Sequence, residues 1–183
     1  MRHWLLLLTT TLAGPALAQQ VLPAQSEISF VSKQMGVPVE GRFKQWTAAI
    51  SFDPKKPEAG KVGFTIQTGS ASFGSAETDA EVPKAAWFNV AKFPQASFQS
   101  SSIKALGGGK FEVRGGLLIK GDTHPVLVPV SLVQAGAAST ASGSFTIKRL
   151  DFKIGDGEWA DTSMVANEVT IKFKLALSGL APL

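Results

Sequence analysis

Between Lys110 and Leu132 the chain alternates apolar and polar residues with a period of two, reverses direction, and alternates again. Phe111, Val113, Gly115, Leu117 and Ile119 share one parity, and Glu112, Arg114, Gly116, Leu118 and Lys120 share the other. Successive side chains of a strand point to opposite faces, so this parity predicts a strand with one apolar face. Gly121-Asp122 supplies turn chemistry, because Gly adopts φ > 0 freely and Asp bonds its own backbone. The return run then carries Val126, Val128, Val130 and Leu132 on one face. An isolated hairpin is marginal in water, so the remaining chain has to cover that face.

The same period recurs on both sides of the hairpin. Strands are predicted over residues 26–31 (Ile28, Phe30), from Val39 through Phe43, which Trp46 to Phe52 continues or follows, and over 61–68 (Val62, Phe64, Ile66). Further strands follow over 95–103 (Ala96, Phe98) and 144–150 (Phe145, Ile147). The last run is the cleanest: Val169, Ile171, Phe173, Leu175 and Leu177 alternate with Thr170, Lys172, Lys174, Ala176 and Ser178. Gly41 inside its run suggests a bend or bulge. Loops are read at Asp53 to Gly60, in the small-residue stretch 134–141, and in the polar stretch 151–164. Residues 69–93 are the least regular and carry one short helix, roughly Thr78 to Asn89. About eight strands with tight turns and almost no helix predict an all-β antiparallel fold, barrel or sandwich. A barrel removes the exposed strand edges.

Residues 1–18 do not belong to this pattern. Arg2 and His3, the apolar run from Leu5 to Ala13, and Ala16-Leu17-Ala18 read as a signal peptide with a small-x-small cleavage site, leaving a domain over 19–183. The apolar run is shorter than the roughly 20 residues that span a bilayer core. No Cys is present, so disulfides, thiolate metal ligands and lipidation through Cys are all excluded. The formal charge of +4 is scattered along strands, without the basic stripe and stacking aromatics that nucleic-acid binding needs.

Four stretches occur in series: KQMGVPVEGRF at 33–43, WFNVAKFPQASF at 87–98, KFEVRGGLLIKGDTHPV at 110–126 and IKRLDFKIGDGEW at 147–159. Together they resemble the YceI-like family of secreted bacterial proteins, over about Ser26 to Leu177. The resemblance implies a lipocalin-like eight-stranded β-barrel in the periplasm. It implies a ligand as well: a long amphiphile such as a polyisoprenoid, an isoprenoid quinone or a fatty-acid derivative, held in the interior. It allows a homodimer and a transient contact with a membrane b-type cytochrome, which would make the protein a quinone-handling accessory. It carries no set of catalytic residues and no cofactor beyond such a lipid. Asn89 stands where the family often has Asp, and Leu118 and Asp122-Thr123-His124 depart from a Thr-rich hairpin turn. These departures bear on the rim and the head group, not on the fold.

On this reading the inward wall is formed by Phe30, Phe43, Phe64, Phe98 and Phe111 from the first half of the sheet. Leu117, Ile119, Val128, Phe145 and Ile147 continue it, and Ile171, Phe173 and Leu175 complete it. Trp87, Phe88 and Trp159 are candidates for the rim. Periodicity alone would equally make these residues a filled core. Gly41, Gly63, Gly115 and Gly116 thin the strands where a guest could pass. Burying about twenty methylenes at roughly 0.8 kcal/mol each is worth about 16 kcal/mol gross, so an apolar tunnel needs no ionic device to hold a lipid tail.

Enzymatic readings are weaker. His124 is the only His outside the leader, and no G-x-S-x-G elbow accompanies it, so neither a serine triad nor a zinc site is supported. Asp156, Glu158 and Asp161 share one loop and would be the carboxylates of a hydrolase. The plainer reading is a solvated loop held by Trp159 over one barrel end. An outer-membrane barrel would carry aromatic girdles, and this chain has no Tyr.

Overall fold

The computed structural model describes residues 19–183, so the leader expected over 1–18 lies outside the described residues. Eleven strands form one sheet. They are β1 (Gln20–Val21), β2 (Glu27–Gln34), β3 (Val37–Phe43), β4 (Trp46–Ser51), β5 (Lys61–Gln67) and β6 (Ala71–Ser72), then β7 (Gln95–Gly107), β8 (Lys110–Ile119), β9 (Asp122–Ala135), β10 (Ala138–Lys148) and β11 (Glu168–Ser178). Among the described residues one α-helix, α1 (Ala76–Glu81), lies between β6 and β7. The order across the sheet is β4-β5-β7-β8-β9-β10-β11-β2-β3-β6, with β1 paired to β11, and every ladder is antiparallel. The strand count exceeds the expected eight because β1 and β6 are two-residue pairings that no alternation signals and because β3 and β4 are separate strands.

The sheet curls into a barrel that hydrogen bonds do not close. Its end members, β4 on one side and β3 with β6 on the other, share no ladder, which leaves a seam between them. Side-chain amides do part of the closing. The Gln19 amide donates to the Phe52 carbonyl and accepts from the Phe52 N–H at 2.7 Å. It thereby ties the segment that pairs with β11 to the end of β4. Gln134 holds the C-terminal tail the same way, donating to the Ala181 carbonyl at 2.8 Å and accepting from the Leu183 N–H at 2.7 Å.

Parity decides which side is inside. In β8 the burial alternates along the strand, with Phe111, Val113, Leu117 and Ile119 buried and Lys110, Arg114 and Leu118 exposed. β9 and β10 pair only from Ser131 and Ser142 to their shared turn. Beyond it they part, and the segment Arg149–Phe152 packs against β9. There the His124 ring meets Phe152 edge-on at 4.8 Å, and its Nε2 lies 3.0 Å from the Asp151 carbonyl.

Several local expectations are corrected. The hairpin turn is Lys120-Gly121, both at positive φ, rather than Gly121-Asp122. That is the pattern of a two-residue primed turn, which matches strand twist. Residues 134–141 are mostly strand, with a tight turn at Gly136-Ala137. The helix covers 76–81 instead of 78–89. Ser75 caps it by accepting from the Thr78 N–H, and Pro83, lacking an N–H, cannot extend the ladder. Gly41 makes no bulge, since its ladder with Phe30 runs in register.

Candidate functional site

A cavity of about 240 Å³ occupies the barrel interior. All thirteen inward positions derived from strand parity, from Phe30 to Leu175, stand on its wall. Of the three rim candidates, Trp87 and Phe88 also line it. Trp159 does not; it lies half-exposed against Trp87, with ring centroids 5.6 Å apart. The wall is almost wholly apolar. Ser32 and Arg149 are its only residues with a hydroxyl or a charge.

The interior glycines do not open this wall. A Cβ at Gly41 would stand 2.6 Å from Cε2 of Phe30, and one at Gly143 would stand 2.7 Å from Cζ of Phe173. Each Phe lies directly opposite its Gly in the ladder. A Cβ at Gly115 would meet the Phe98 ring, and one at Gly63 the Gln99 amide. Gly41 thus seats the Phe30 ring, while Gly143 and Gly115 admit the Phe173 and Phe98 rings together with a backbone carbonyl, and Gly63 lies on the outer face. Gly116 faces the Thr123 methyl at 3.3 Å, on the other side of the strand.

One end of the barrel is closed by chain that sequence periodicity does not describe. Phe152, Ile154 and Val165 are buried within the stretch read as a polar loop. Arg149 organises them. Its side chain is 1% exposed. Its Nε donates to the Ala166 carbonyl at 3.1 Å. Nη1 donates to the Ile154 carbonyl at 2.9 Å and to that of Gly155, and Nη2 to those of Trp159 and Val165, each at 2.7 Å. All five N–H groups of the guanidinium are used, every one on backbone. Burial lowers the Arg149 pKa from its ordinary value. Close by, Lys120 is buried and donates to the Lys153 carbonyl at 2.6 Å, with Asp156 at 3.9 Å. Burial lowers its pKa, opposed by Asp156 and reinforced by Lys153. The N–H groups of Gly155 and Asp156 both reach the Ala86 carbonyl, at 2.7 and 3.2 Å, which locks this loop to the Trp87 segment.

Parity could have found Arg149, since it continues the inward series Phe145, Ile147. Lys120 was obscured because it was placed on the outward face of the hairpin. The burial of Ile154 and Val165 had no periodic signal.

The acidic loop is not on the cavity wall. Asp156, Glu158 and Asp161 are all exposed. Asp161 accepts from the backbone N–H and the hydroxyl of Ser163, at 2.8 and 2.7 Å, and these bonds hold its carboxyl below the usual range. Among the described residues no group of three or more His, Asp or Glu is placed to hold a metal ion.

A string of rings, Phe73–Phe30–Phe43–Phe88, crosses the wall beside the seam with centroid distances of 5.1, 5.2 and 6.1 Å. Phe73 is fixed from behind. Its N–H donates to Asp79 at 2.6 Å, and Asp79 also accepts from the Ser72 hydroxyl at 2.8 Å.

The YceI-like domain family matches residues 20–177 of the chain. Protein YceI of Salmonella arizonae is 38% identical over 122 residues, 62% of this chain and 62% of that protein. The chain therefore spans a little under two thirds of that relative's length. The crystal structure of Burkholderia cenocepacia BcnA superimposes with a TM-score of 0.83 at 46% identity, covering 86% of this chain and 99% of that one. A polyisoprenoid binding domain from Saccharophagus degradans, implicated in plant cell wall breakdown, shares the fold with a TM-score of 0.70 at 18% identity, covering 91% and 99%.

Proposed function

The chain belongs to the YceI-like family, and from that premise we propose that its barrel holds the tail of a long amphiphilic lipid, a polyisoprenoid, an isoprenoid quinone or a fatty-acid derivative. The single observation that carries this reading is the wall: an almost wholly apolar cavity whose one charge, Arg149, is spent on five backbone carbonyls. Such a space offers a water-soluble guest nothing, because polar groups buried without partners cost free energy. It offers a hydrocarbon tail the full gain of leaving water. The fold neighbour from Saccharophagus degradans is described as a polyisoprenoid binding domain, which agrees with the tail class.

On this reading the protein works by binding its lipid, and the exposed carboxylates Asp156, Glu158 and Asp161 stand off the cavity wall. The leader-like residues 1–18 support export, and the reading places the protein in the periplasm as a carrier or reservoir for its lipid. Uptake of a radiolabelled prenol tests the binding claim. The native protein retains it through gel filtration, and Phe173→Asp, with a carboxylate in the cavity, does not. Equal retention by a folded Phe173→Asp protein would remove the cavity from the account.

A further inference from the structure

Outside the leader the chain has two methionines, Met35 and Met164, and the fold brings them together. Met35 opens the turn between β2 and β3, and its N–H donates to the Met164 carbonyl at 2.8 Å. Beside it Gln34 bridges to Val165, and the Ala166 N–H donates to the Lys33 carbonyl at 2.9 Å. The turn is thus fastened through its backbone to the stretch 164–166. Its side chains nonetheless go to solvent: Met35 is 71% exposed, Val37 62% and Met164 48%. Every residue from Lys33 to Pro38 is exposed, so the turn stands clear of the barrel.

The backbone makes this placement costly. Met35 sits at φ 49° and Gly36 at φ 80°, a left-handed pair that suits Gly or Asn at both positions. A large apolar side chain at the first of them loses twice, in backbone strain and in contact with water. Turns at the opposite end of the barrel follow the cheaper rule, for there Gly107, Gly108, Gly109 and Gly136 take the positive φ. Leu106, Leu118, Leu127 and Val133 are exposed as well, but on strands, where the backbone carries no such strain.

We propose that this tip docks the barrel on a lipid bilayer, with Met35, Val37 and Met164 entering the membrane surface. Three side chains around a two-residue turn offer far less than the roughly 800 Å² per partner of a stable protein interface. A bilayer asks for no such area, since apolar side chains sink roughly 5–10 Å to the boundary between head groups and acyl chains. Methionine suits that boundary, being unbranched and polarisable. Charge around the tip is balanced. Lys33, which forms no ion pair among the described residues, lies two residues before Met35. Asp161 lies on the other side, its carbonyl accepting from the Met164 N–H at 3.2 Å. The contact is therefore apolar rather than electrostatic. Ser32 and Val165, just behind the tip, line the cavity. On the reading that the cavity takes a lipid tail, docking brings its wall to the membrane that supplies the lipid.

Co-sedimentation of the full-length protein with phosphatidylcholine vesicles tests this. The native protein is expected to partition onto them equally at low and high salt. The M35S/V37S/M164S variant should partition about ten-fold less, and L106S/V133S, altered at the opposite end, should match the native protein. Met35→Gly separates docking from folding. Gly suits the positive φ, so the urea midpoint should rise while partition falls, a pair of changes that unfolding does not produce. Equal partition of the native and triple-serine proteins would overturn the docking tip, and so would binding confined to anionic vesicles and abolished by salt. Self-association that the triple substitution removes, without vesicle binding, would assign the tip to a second copy of the chain instead. Prenol uptake from solution should be the same in the native and triple-serine proteins, because none of the three residues lines the cavity. A native protein that takes up prenol but ignores vesicles would overturn the docking tip and leave the tail site standing. One that docks through the tip but takes up no prenol would support the tip and overturn the tail site alone.

Discussion

The Phe30 ring fills the space where a side chain at Gly41 would begin. The two residues face each other across the β2–β3 ladder, and a Cβ at Gly41 would stand 2.6 Å from Cε2 of Phe30. Phe30 is itself buried and packed against Phe43 and Phe73, so displacing its ring breaks that aromatic stack. Gly41→Ala should therefore cost about 1–3 kcal/mol, the usual range for overpacking a filled site. The midpoint of urea denaturation measures it. An unchanged midpoint would mean that the ring moves aside freely and that the glycine is not its seat.

Arg149 makes a second prediction. Replacing it with Met keeps the bulk but removes five donors from the carbonyls of Ile154, Gly155, Trp159, Val165 and Ala166. A loss of about 3–5 kcal/mol is expected, because those acceptors are left in or near the interior without partners. Hydrogen exchange should localise the damage to residues 150–167, sparing the β8–β9 ladder. Arg149→Lys should rescue little, since three rotatable donors cannot reproduce the planar fork.

Asp79 governs the acid side. The N–H of Phe73, then the hydroxyl of Ser72, and more weakly the charge of Lys44, hold its carboxyl below the usual range. A depressed folded value means that the stabilisation is complete above the unfolded carboxylate pKa, about 4, and is lost as pH falls through the lower folded value. The segment from Phe73 to Phe93 should thus become protease-sensitive in acid before the strands unfold. Asp79→Asn should show that sensitivity already at neutral pH. Identical digestion of both proteins at pH 7 would remove Asp79 from this role.

Filling the cavity should separate folding from binding. Val128 is buried on the wall in the middle of β9. Val128→Phe adds bulk into open space, so its stability cost should lie at or below the about 1–3 kcal/mol of an overpacked core. Prenol uptake should nevertheless fall at least ten-fold. Undiminished uptake by this variant would place the ligand elsewhere.

What was legible in the sequence follows from the physics of strands. A period of two is imposed by the pleat, so any half-buried strand announces its inner face. Phe111 to Ile119, and Val169 to Leu177, did so without help from tertiary structure. The same rule fails at turns and loops. Lys120 takes φ 51° in the hairpin turn, where Gly or Asn would be expected, and lies buried with its amine on the Lys153 carbonyl. Nothing in its neighbours signals that. Pro83 was legible as a local constraint, yet it closes the helix rather than lying within it. The interior glycines were visible but misread. Only the ladder register shows that Phe30 faces Gly41, which turns an apparent gap into a seat.

The most direct test of the central claim is native mass spectrometry of the full-length protein recovered from a bacterial periplasm, followed by organic extraction. The account predicts a stoichiometric adduct that extracts as an isoprenoid, quinone or fatty-acid lipid, and that Phe173→Asp abolishes. A protein that emerges empty and takes up no added prenyl lipid would contradict it, and the inward wall would then be a packed core alone.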